Sequence, residues 1–496
     1  MNNESYGLRG VRDAELARWR EREKTALDLL QVAGELRFDR GIDLTLFRQQ
    51  IYDTRPSEVL RAHETSLQYS KRAIDVDLTL SLAYAVAQAE ELGACKVDLG
   101  RLATEWLETS AEFANMDEFV RTALGRMPNE VDVPPRTEEG EGCDVVLYGF
   151  GRIGRMLTRL LAEQTGRGTQ LRLRAIVLRA KLEDRHLEVS KRAALLRSDS
   201  VHGEFSGLVQ VSPDADYIII NGNRIRMVFA NRPEDIDYSG YEIDNALLID
   251  STGVWRTREG LERHLRPGIR SVLLTAPGAE VPNIVVGINQ AQYDWSTVRL
   301  ASAASCTTNA VAPLLQVLHS SLGIQRAHIE TVHAYTSDQN LLDNFHKKPR
   351  RGRAAPINMV LTTTGAARAV AKVIPELEGR LTGNAVRVPV PNGSLAIINV
   401  TISQEVNRDQ VNEIMREASL RGPLCEQIGY SGSQEYVSTG VVGLSSTCVF
   451  DAPSTQVSQD GKGLTVYGWY DNEGGYTYQV VRLAKIMAGV HRLRYT

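Results

Sequence analysis

A cysteine flanked by hydroxyl side chains is the first feature of this sequence that indicates chemistry. Cys306 lies between Ser305 and Thr307, and apolar residues recur at helical spacing over 310–319, which predicts a helix beginning near Thr307 or Thr308. The first turn of a helix offers unpaired backbone N–H groups and the positive end of its dipole, and both favour a thiolate over a thiol. An isolated cysteine is more often a small buried apolar side chain, but the flanking hydroxyls argue against an apolar pocket. The sequence therefore predicts that Cys306 is a nucleophile.

A histidine on the next predicted element supplies a candidate general base. Residues 327–336 are largely apolar and predict a strand that carries His333 near its end. A histidine held on a rigid strand can take a proton from a thiol or a substrate, as covalent catalysis by cysteine requires. We therefore expect Cys306 and His333 to form the catalytic pair.

Two short motifs carry a resemblance to a known family. Ser305-Cys306-Thr307-Thr308-Asn309, followed by Thr331-Val332-His333-Ala334, resembles the active site of the phosphorylating glyceraldehyde-3-phosphate dehydrogenases. Matching motifs follow in the same order from about residue 143 to residue 491. The resemblance implies reversible oxidation of D-glyceraldehyde 3-phosphate to 1,3-bisphosphoglycerate through a cysteine thiohemiacetal and thioester, with hydride transfer to NAD or NADP. It also implies inorganic phosphate as a second substrate and a homotetramer, and it leaves the glycolytic or gluconeogenic direction open.

A dinucleotide-binding unit is predicted from the residues themselves. A short apolar strand from residue 144 leads into Gly149-Phe-Gly151-Arg-Ile-Gly154, a helical pattern follows until Gly166, and 171–178 supplies a second strand. Glycines at this spacing in a βαβ unit give the tight turn, the close approach of a pyrophosphate and the helix-on-strand packing of a Rossmann fold. Together with positions implied by the resemblance, the expected cofactor contacts are Gly149, Gly151, Arg152, Ile153, Gly154, Arg179, Thr275 and Asn472.

The choice between NAD and NADP rests on Arg179. NAD-specific Rossmann folds usually end the second strand in an acidic residue that bonds the ribose hydroxyls, but this chain has Arg179 there, with Lys181 nearby. A guanidinium can pair with a 2′-phosphate in bidentate fashion, so NADP is admissible beside NAD. The alternative is that both cations are solvated surface residues.

The remaining candidate site residues bind phosphate. Arg387 lies on a predicted strand between apolar neighbours, where an arginine needs an anion. A Thr-Thr-Thr-Gly run at 362–365 opens a helix and forms a candidate anion site. With positions carried over from the resemblance, the expected substrate and phosphate contacts are Ser305, Thr307, Thr336, Arg353, Thr364, Gly365 and Arg387. No metal site is predicted.

The domain organisation follows from these motifs. We expect a mostly helical N-terminal extension at 1–128, a linker rich in proline, glycine and acidic residues at 129–142, an α/β Rossmann domain at 143–304, and an α+β catalytic domain with a mixed sheet at 305–472. A C-terminal helix over 473–496 is expected to complete the Rossmann domain. The resemblance does not cover the extension, whose partner, if any, is unknown.

Composition bounds the class of protein. The 496 residues are 43% hydrophobic and 24% charged with a net charge of −4, so neither nucleic acid nor a membrane surface is an expected partner. The N-terminus has no secretory signal pattern and the five cysteines show no metal-type spacing, so we expect a cytoplasmic protein with free thiols.

Two alternative functions stay open from the sequence. Ala303 replaces the asparagine usual in the family before the Ala-Ser-Cys core, which bears on the aldehyde accepted, and an erythrose-4-phosphate dehydrogenase is the nearest alternative. The other is a regulatory or scaffold protein built on a dehydrogenase fold.

Overall fold

Two units make up the chain, Met1–Glu130 with Arg492–Thr496 and Val131–His491. The computed structural model describes residues 4–70, 72–125, 142–165, 170–362, 364–490 and 493–495. The linker predicted at 129–142 lies outside the described residues except for its last position. Within the described ranges, no helix combines the length and apolar character needed to cross a lipid bilayer.

The first unit is mostly helical, as the sequence predicts. The second half of its long first helix packs inward through Ala26, Leu29, Val32 and Ala33, which recur at helical spacing and are buried. The helices are α1 (Glu4–Glu35), continued by a π-helical turn (Leu36–Arg40), α2 (Pro56–Glu64), α3 (Val76–Gln88), α4 (Leu99–Thr109) and α5 (Met116–Leu124).

The first unit also contains a small sheet that the sequence analysis missed. Its strands are β1 (Asp43–Leu46), β2 (Gln49–Gln50), β3 (Cys95–Asp98) and the last strand of the chain, β22 (Leu493–Tyr495), in the order β2-β1-β3-β22. Strands of two to four residues are too short to show an alternating pattern. The edge strand β22 pairs with β3 in parallel, so the sheet joins the two ends of the sequence.

The C-terminal helix is shorter than its predicted range of 473–496. α12 (Gly474–Ala488) ends where Gly489 adopts a left-handed conformation with φ 66° and donates its N–H to the carbonyl oxygen of Ile486. A glycine in this conformation terminates helices because it carries no Cβ to clash. The residues at 493–495 form β22 instead of helix, which corrects the predicted range.

The Rossmann sheet of the second unit has the order β13-β12-β11-β4-β5-β10-β9-β8. Its six strands from β13 to β10 are parallel, and β9 and β8 are antiparallel additions. Because β5 lies on one side of β4 and β11 on the other, the strand order reverses at β4, which is where such sheets bind ligands at their carboxyl edge. The strands are β4 (Cys143–Tyr148), β5 (Leu171–Leu178), β8 (Val209–Val211), β9 (Tyr217–Ile220), β10 (Asn223–Phe229), β11 (Ala246–Asp250), β12 (Ile269–Leu274) and β13 (Leu300–Ser302), with a small hairpin of β6 (Ser198–Asp199) and β7 (Gly203–Glu204). The helices are α6 (Arg152–Gln164), α7 (Arg185–Arg197) and α8 (Arg258–Glu262), and α12 packs into the same core.

A second, mixed sheet follows in the order β15-β16-β14-β17-β21-β19-β18, with β20 paired to β21. The long α9 (Cys306–Leu322) contributes Val311, Leu314, Leu315 and Leu318 to its apolar core. The predicted class, a Rossmann domain followed by an α+β domain with a mixed sheet, is confirmed. The strands are β14 (Ile324–Ala334), β15 (Val360–Thr362), β16 (Leu381–Val388), β17 (Ser394–Ile402), β18 (Ile428–Ser431), β19 (Cys448–Asp451), β20 (Gln456–Val457) and β21 (Gly463–Tyr470), and the other helices are α10 (Ala366–Val373) and α11 (Arg408–Leu420).

Candidate active site

Cys306 is the first residue of α9, and its turn is held by side-chain caps. The Ser305 hydroxyl accepts the backbone N–H of Thr308 at 3.0 Å, so Ser305 is the N-cap. The side-chain amide of Asn309 donates to the carbonyl oxygens of Ala303 at 2.8 Å and Ser305 at 2.9 Å. These bonds fix the half-buried thiol at the positive end of the helix.

His333 lies beside that thiol near the end of β14. Its Nε2 is 3.6 Å from the Cys306 sulfur, and its Nδ1 is 2.7 Å from the carbonyl oxygen of Ala334. A carbonyl oxygen can only accept a hydrogen bond, so Nδ1 carries the proton in the neutral ring and Nε2 presents a lone pair to the thiol. The structure thus brings the two predicted catalytic residues together with the base oriented for proton transfer.

Burial sets the protonation states of this pair. Burial, together with the nearby Arg387 cation, lowers the pKa of His333 to about 3. Burial also raises the pKa of the Cys306 thiol, although Arg387 and hydrogen bonds from Thr307 act in the opposite direction. In the ligand-free chain the pair is therefore a neutral thiol and a neutral imidazole, where the helix position alone had led us to expect a thiolate.

Arg387 reaches the same carbonyl oxygen from the neighbouring strand. Parallel pairing of β14 with β16 sets His333 opposite Arg387, and Arg387 Nη1 donates to the carbonyl oxygen of Ala334 at 2.8 Å. Its Nε is buried and has no hydrogen-bond partner among the described residues. Nor does any carboxylate of the described ranges form an ion pair with it. A guanidinium in this state is a receptor for an anion.

The predicted phosphate-binding hydroxyls lie at helix starts or strand ends. Thr307 Oγ1 lies 3.2 Å from the phenolic oxygen of Tyr470, and half-buried Thr336 closely follows β14. Thr364 Oγ1 accepts the backbone N–H of Ala366 at 3.1 Å at the start of α10. A Cβ added to Gly365, the N-cap of that helix, would meet nothing within 4 Å, so the space before α10 is open.

Two of the three arginines in the loop between β14 and β15 lie in different settings. The predicted residue, Arg353, has a side chain 66% exposed and an ion pair with Asp343 at 2.5 Å. Arg351 has a side chain only 13% exposed, binds Asp338 and donates to Thr362 Oγ1 at 3.0 Å. The Arg351 cation is one of the charges that lower the pKa of both His333 and Arg387. The inward arginine of this loop is therefore Arg351, which the sequence analysis missed because its pattern does not distinguish the two.

The glycine loop has the form that a dinucleotide phosphate requires. Gly149 has φ 107°, and a Cβ there would lie 2.9 Å from Ser251 Oγ. A Cβ on Gly154 would lie 2.4 Å from the carbonyl oxygen of Gly149, so only glycine permits this helix-on-strand packing. A Cβ on Gly151 would meet nothing within 4 Å, which leaves an open cradle at the start of α6. Ile153 packs against the Rossmann core.

The Arg152 side chain is engaged with protein carboxylates. Its guanidinium donates to both carboxylate oxygens of Glu473 at 2.5 Å and to Asp199 at 3.2 and 3.3 Å. His202 contacts the same Glu473 carboxylate at 3.2 Å. This network of the Arg152 side chain ties the glycine loop to the start of α12.

Asn472 is oriented by a serine that the sequence analysis missed. The Ser394 hydroxyl donates to Asn472 Oδ1 at 3.0 Å and accepts the backbone N–H of Ala334 at 3.1 Å. The amide oxygen is thereby occupied, and the amide NH₂ group is left to donate to a ligand. Only the position of Ser394 at the start of β17 hinted at this role.

The remaining predicted cofactor residues lie at the carboxyl edge of the Rossmann sheet. Arg179 and Lys181 follow β5 directly, are exposed, and form no ion pair among the described residues. Burial raises the pKa of the Tyr148 phenol to about 12, and the nearby Arg179 cation opposes this rise. Half-buried Thr275 follows β12 and donates its N–H to the carbonyl oxygen of Asp250 at 3.0 Å.

Comparisons with known proteins agree with this geometry. Residues 143–258 match the family model described as glyceraldehyde 3-phosphate dehydrogenase, NAD binding domain, and residues 305–472 match the model described as glyceraldehyde 3-phosphate dehydrogenase, C-terminal domain. A Pseudomonas aeruginosa glyceraldehyde-3-phosphate dehydrogenase-like protein is 43% identical over 468 residues, covering 93% of this chain and 99% of the relative. A glyceraldehyde-3-phosphate dehydrogenase of Streptomyces coelicolor is 39% identical over 340 residues, 68% of this chain and 96% of the relative. Glyceraldehyde-3-phosphate dehydrogenase 2 of Trichormus variabilis is 40% identical over 346 residues, 69% of this chain and 98% of the relative.

The protonation states predict the pH dependence of thiol alkylation. Because the Cys306 pKa is raised from 9.0 and the His333 pKa is lowered, the thiolate fraction of the ligand-free protein grows as pH rises through the neutral range. Iodoacetamide labelling should therefore accelerate by about tenfold per pH unit between roughly pH 6 and pH 9. Peptide mass spectrometry of the Cys306 peptide measures the rate, with Cys306→Ala as the control for other thiols. A rate that is flat from about pH 6 to pH 8 would show an ion pair and contradict this assignment.

Proposed function

Because the chain belongs to the glyceraldehyde-3-phosphate dehydrogenase family, we propose that it catalyses the reversible, phosphorylating oxidation of D-glyceraldehyde 3-phosphate to 1,3-bisphosphoglycerate with NAD or NADP as hydride acceptor. The observation that carries the proposal is the contact of the Cys306 sulfur with His333 Nε2 at 3.6 Å, beside Arg387, whose buried Nε has no hydrogen-bond partner among the described residues. A nucleophile, a base and a phosphate receptor are what this reaction needs at one place.

His333 and Cys306 carry the first half of the reaction. Nε2 accepts the thiol proton as the sulfur bonds to the aldehyde carbon, and the imidazolium then returns that proton to the carbonyl oxygen, which gives a thiohemiacetal. NAD or NADP, when bound, would supply the hydride acceptor for oxidation of the thiohemiacetal to a thioester. Nε2 takes up the hydroxyl proton of the thiohemiacetal. The bond from Nδ1 to Ala334 keeps Nε2 directed at the reacting atoms in each transfer.

Inorganic phosphate completes the reaction at the thioester. A phosphate oxygen bonds to the acyl carbon, the carbon–sulfur bond breaks, and the departing sulfur regains the proton held at Nε2. This step requires one anion site for the phosphate carried by the substrate and another for the attacking phosphate. We assign these two sites jointly to Ser305, Thr307, Thr336, Arg351, Thr364, Gly365 and Arg387, with Arg351 in the role that the sequence predicted for Arg353.

The open cradle at the start of α6 and Asn472 would hold the cofactor. The start of α6 at Gly151 supplies backbone N–H groups for the pyrophosphate, and the directed NH₂ group of Asn472 suits the nicotinamide carboxamide. Thr275 lies at the same sheet edge. Arg179, which forms no ion pair among the described residues, supports use of NADP as well as NAD.

Exposed apolar side chains support a homotetramer. Six large apolar residues at or beside the loop between β14 and β15 are each more than half exposed, and Phe345 is 90% exposed. Concentrations of apolar surface of this kind mark protein–protein contacts. The residues are Leu341, Leu342, Phe345, Ile357, Met359 and Leu361. The cytoplasmic location stays a prediction.

Replacing each member of the catalytic pair tests the reaction. Cys306→Ala should abolish turnover because no covalent intermediate forms, whereas His333→Asn should retain turnover reduced by about 10² to 10⁴-fold. NADH or NADPH formation measures the rates, with glyceraldehyde 3-phosphate and erythrose 4-phosphate each assayed with and without inorganic phosphate. A phosphate-independent preference for the four-carbon sugar would identify an erythrose-4-phosphate dehydrogenase. Inactivity with every aldehyde would favour the scaffold alternative.

A matched pair of substitutions tests which loop arginine serves the site. Arg351→Gln should raise KM for glyceraldehyde 3-phosphate or for inorganic phosphate by roughly 10- to 100-fold, because a charge-assisted bond to phosphate is worth about 1.5–3 kcal/mol. Arg353→Gln is the control, since Arg353 lies in the same loop and also pairs with one carboxylate. If the Arg353 variant is the more impaired, the original prediction for Arg353 stands and the role of Arg351 is refuted.

Cofactor choice is tested by reversing the charge at the end of β5. Arg179→Asp should lower the ratio of NADP to NAD efficiency by roughly 10- to 100-fold, because a bidentate partner of the 2′-phosphate becomes a repelling carboxylate. Lys191→Asp on α7 changes the net charge equally at an exposed position and should leave the ratio unchanged. Equal ratios in the Arg179 variant and the unaltered protein would remove Arg179 from cofactor recognition.

A further inference from the structure

The part of α1 that precedes its packed half exposes its side chains over residues 13–21. Residues 13–21 of this 32-residue helix are all exposed, and the first buried side chain after them is that of Ala26. A helical segment in water is marginal without an apolar face to bury, because propensity alone rarely offsets the entropy of ordering the backbone. The segment therefore calls for a partner outside its own unit.

An apolar stripe runs along this segment. Leu16, Trp19 and Leu27 are 48%, 42% and 53% exposed. With Glu23 between them, their positions advance by three, four and four residues, which places them on one face of a helix. Trp19 makes no ring or cation–π contact among the described residues. The stripe is the face that a partner would cover.

The charged residues beside the stripe are complementary to those of a second copy of α1 that lies antiparallel to the first. Glu15 and Arg22 lie seven residues apart, hence on the same flank of the stripe, and neither forms an ion pair among the described residues. In an antiparallel helix pair, each flank of one helix lies beside the same flank of the partner helix, whose chain runs in the opposite direction. Glu15 then meets Arg22 of a second copy, twice by symmetry, while Leu16 packs on Trp19 of that copy.

A parallel pair of α1 helices would not bring these complementary residues together. It would set Glu23 against Glu23 of the second copy within the seam and stack the two Trp19 side chains in one layer. Two carboxylates facing each other in a seam repel, whereas the antiparallel register alternates a large and a smaller side chain.

We propose that α1 is an oligomerisation element that pairs antiparallel with α1 of a second copy of this chain, centred between Leu16 and Trp19. This interface belongs to the first unit and is separate from the reaction site. It gives the N-terminal extension a role in assembly that the matched family domains do not supply.

A disulfide across the proposed register tests the pairing in the full chain. The double variant Glu15→Cys/Arg22→Cys, oxidised with diamide, should run mainly as a covalent dimer on a non-reducing gel. Residues 15 and 22 of one helix are about 10 Å apart along its axis, so the bond cannot form within one chain. The unaltered protein and each single cysteine variant are controls for the native thiols.

Substitutions on opposite faces of α1 separate the interface from general effects. Leu16→Glu added to the double cysteine variant should reduce the covalent dimer at least tenfold, whereas Ala17→Glu, exposed on the far face, should leave it unchanged. Absence of the dimer in the double cysteine variant overturns the proposal, as does a single-cysteine variant that cross-links as efficiently, which indicates a parallel pair. Dehydrogenase activity is recorded separately, so failure of this interface and failure of the proposed reaction are distinguishable.

Discussion

One carbonyl oxygen, that of Ala334 at the end of β14, organises the reacting groups. It accepts Nδ1–H of His333 and Nη1–H of Arg387, at 2.7 and 2.8 Å. The first bond selects the tautomer whose lone pair faces the sulfur, and the second holds the guanidinium alongside. Because the backbone N–H of the same residue donates to Ser394, which bonds Asn472, this single peptide position joins the candidate base, the candidate anion receptor and the candidate cofactor contact.

The electrostatic state of the site depends on what is bound to it. In the ligand-free chain, burial and two arginine cations disfavour imidazolium, which lowers the pKa of His333 to about 3. A phosphate anion beside Arg387 offsets one of those cations, so its arrival moves the imidazole pKa upward and makes His333 a stronger base. Base strength would then depend on whether an anion is bound, while the same anion would offset the Arg387 charge that favours the Cys306 thiolate.

The sequence was informative where chemistry is local. Cys306 at a helix start, His333 at a strand end and the three glycines each follow from neighbours in the chain, and the structure places them as the local patterns predict. The sequence was silent where the answer depends on strand register or burial. Arg351 and Arg353 are the same residue type in the same loop, and only the folded loop shows which of the two side chains is directed inward. Ser394 acquires its position through pairing of β14 with β17.

The ionisation of the Cys306 thiol also could not be predicted from the sequence. A helix N-terminus is visible in the sequence, but the loss of hydration that opposes ionisation appears only once the chain has packed around the sulfur. The small sheet of the first unit was missed because its strands are short and because β22 comes from the opposite end of the chain. Composition and period cannot reveal a pairing between such distant segments.

Because β22 lies at the C-terminal end of the sequence, the sheet of the first unit can be completed only at the end of synthesis. The first unit leaves the ribosome first, yet the outer edge of β3 has no strand to pair with until Tyr495 has been made, about 400 residues later. At roughly 5–20 residues per second, that edge stays open for some 20–80 s, a period in which an unpaired strand can template aggregation. The sheet of the first unit, which is synthesised first, is thus completed last. A truncated translation product would carry an unprotected sheet edge.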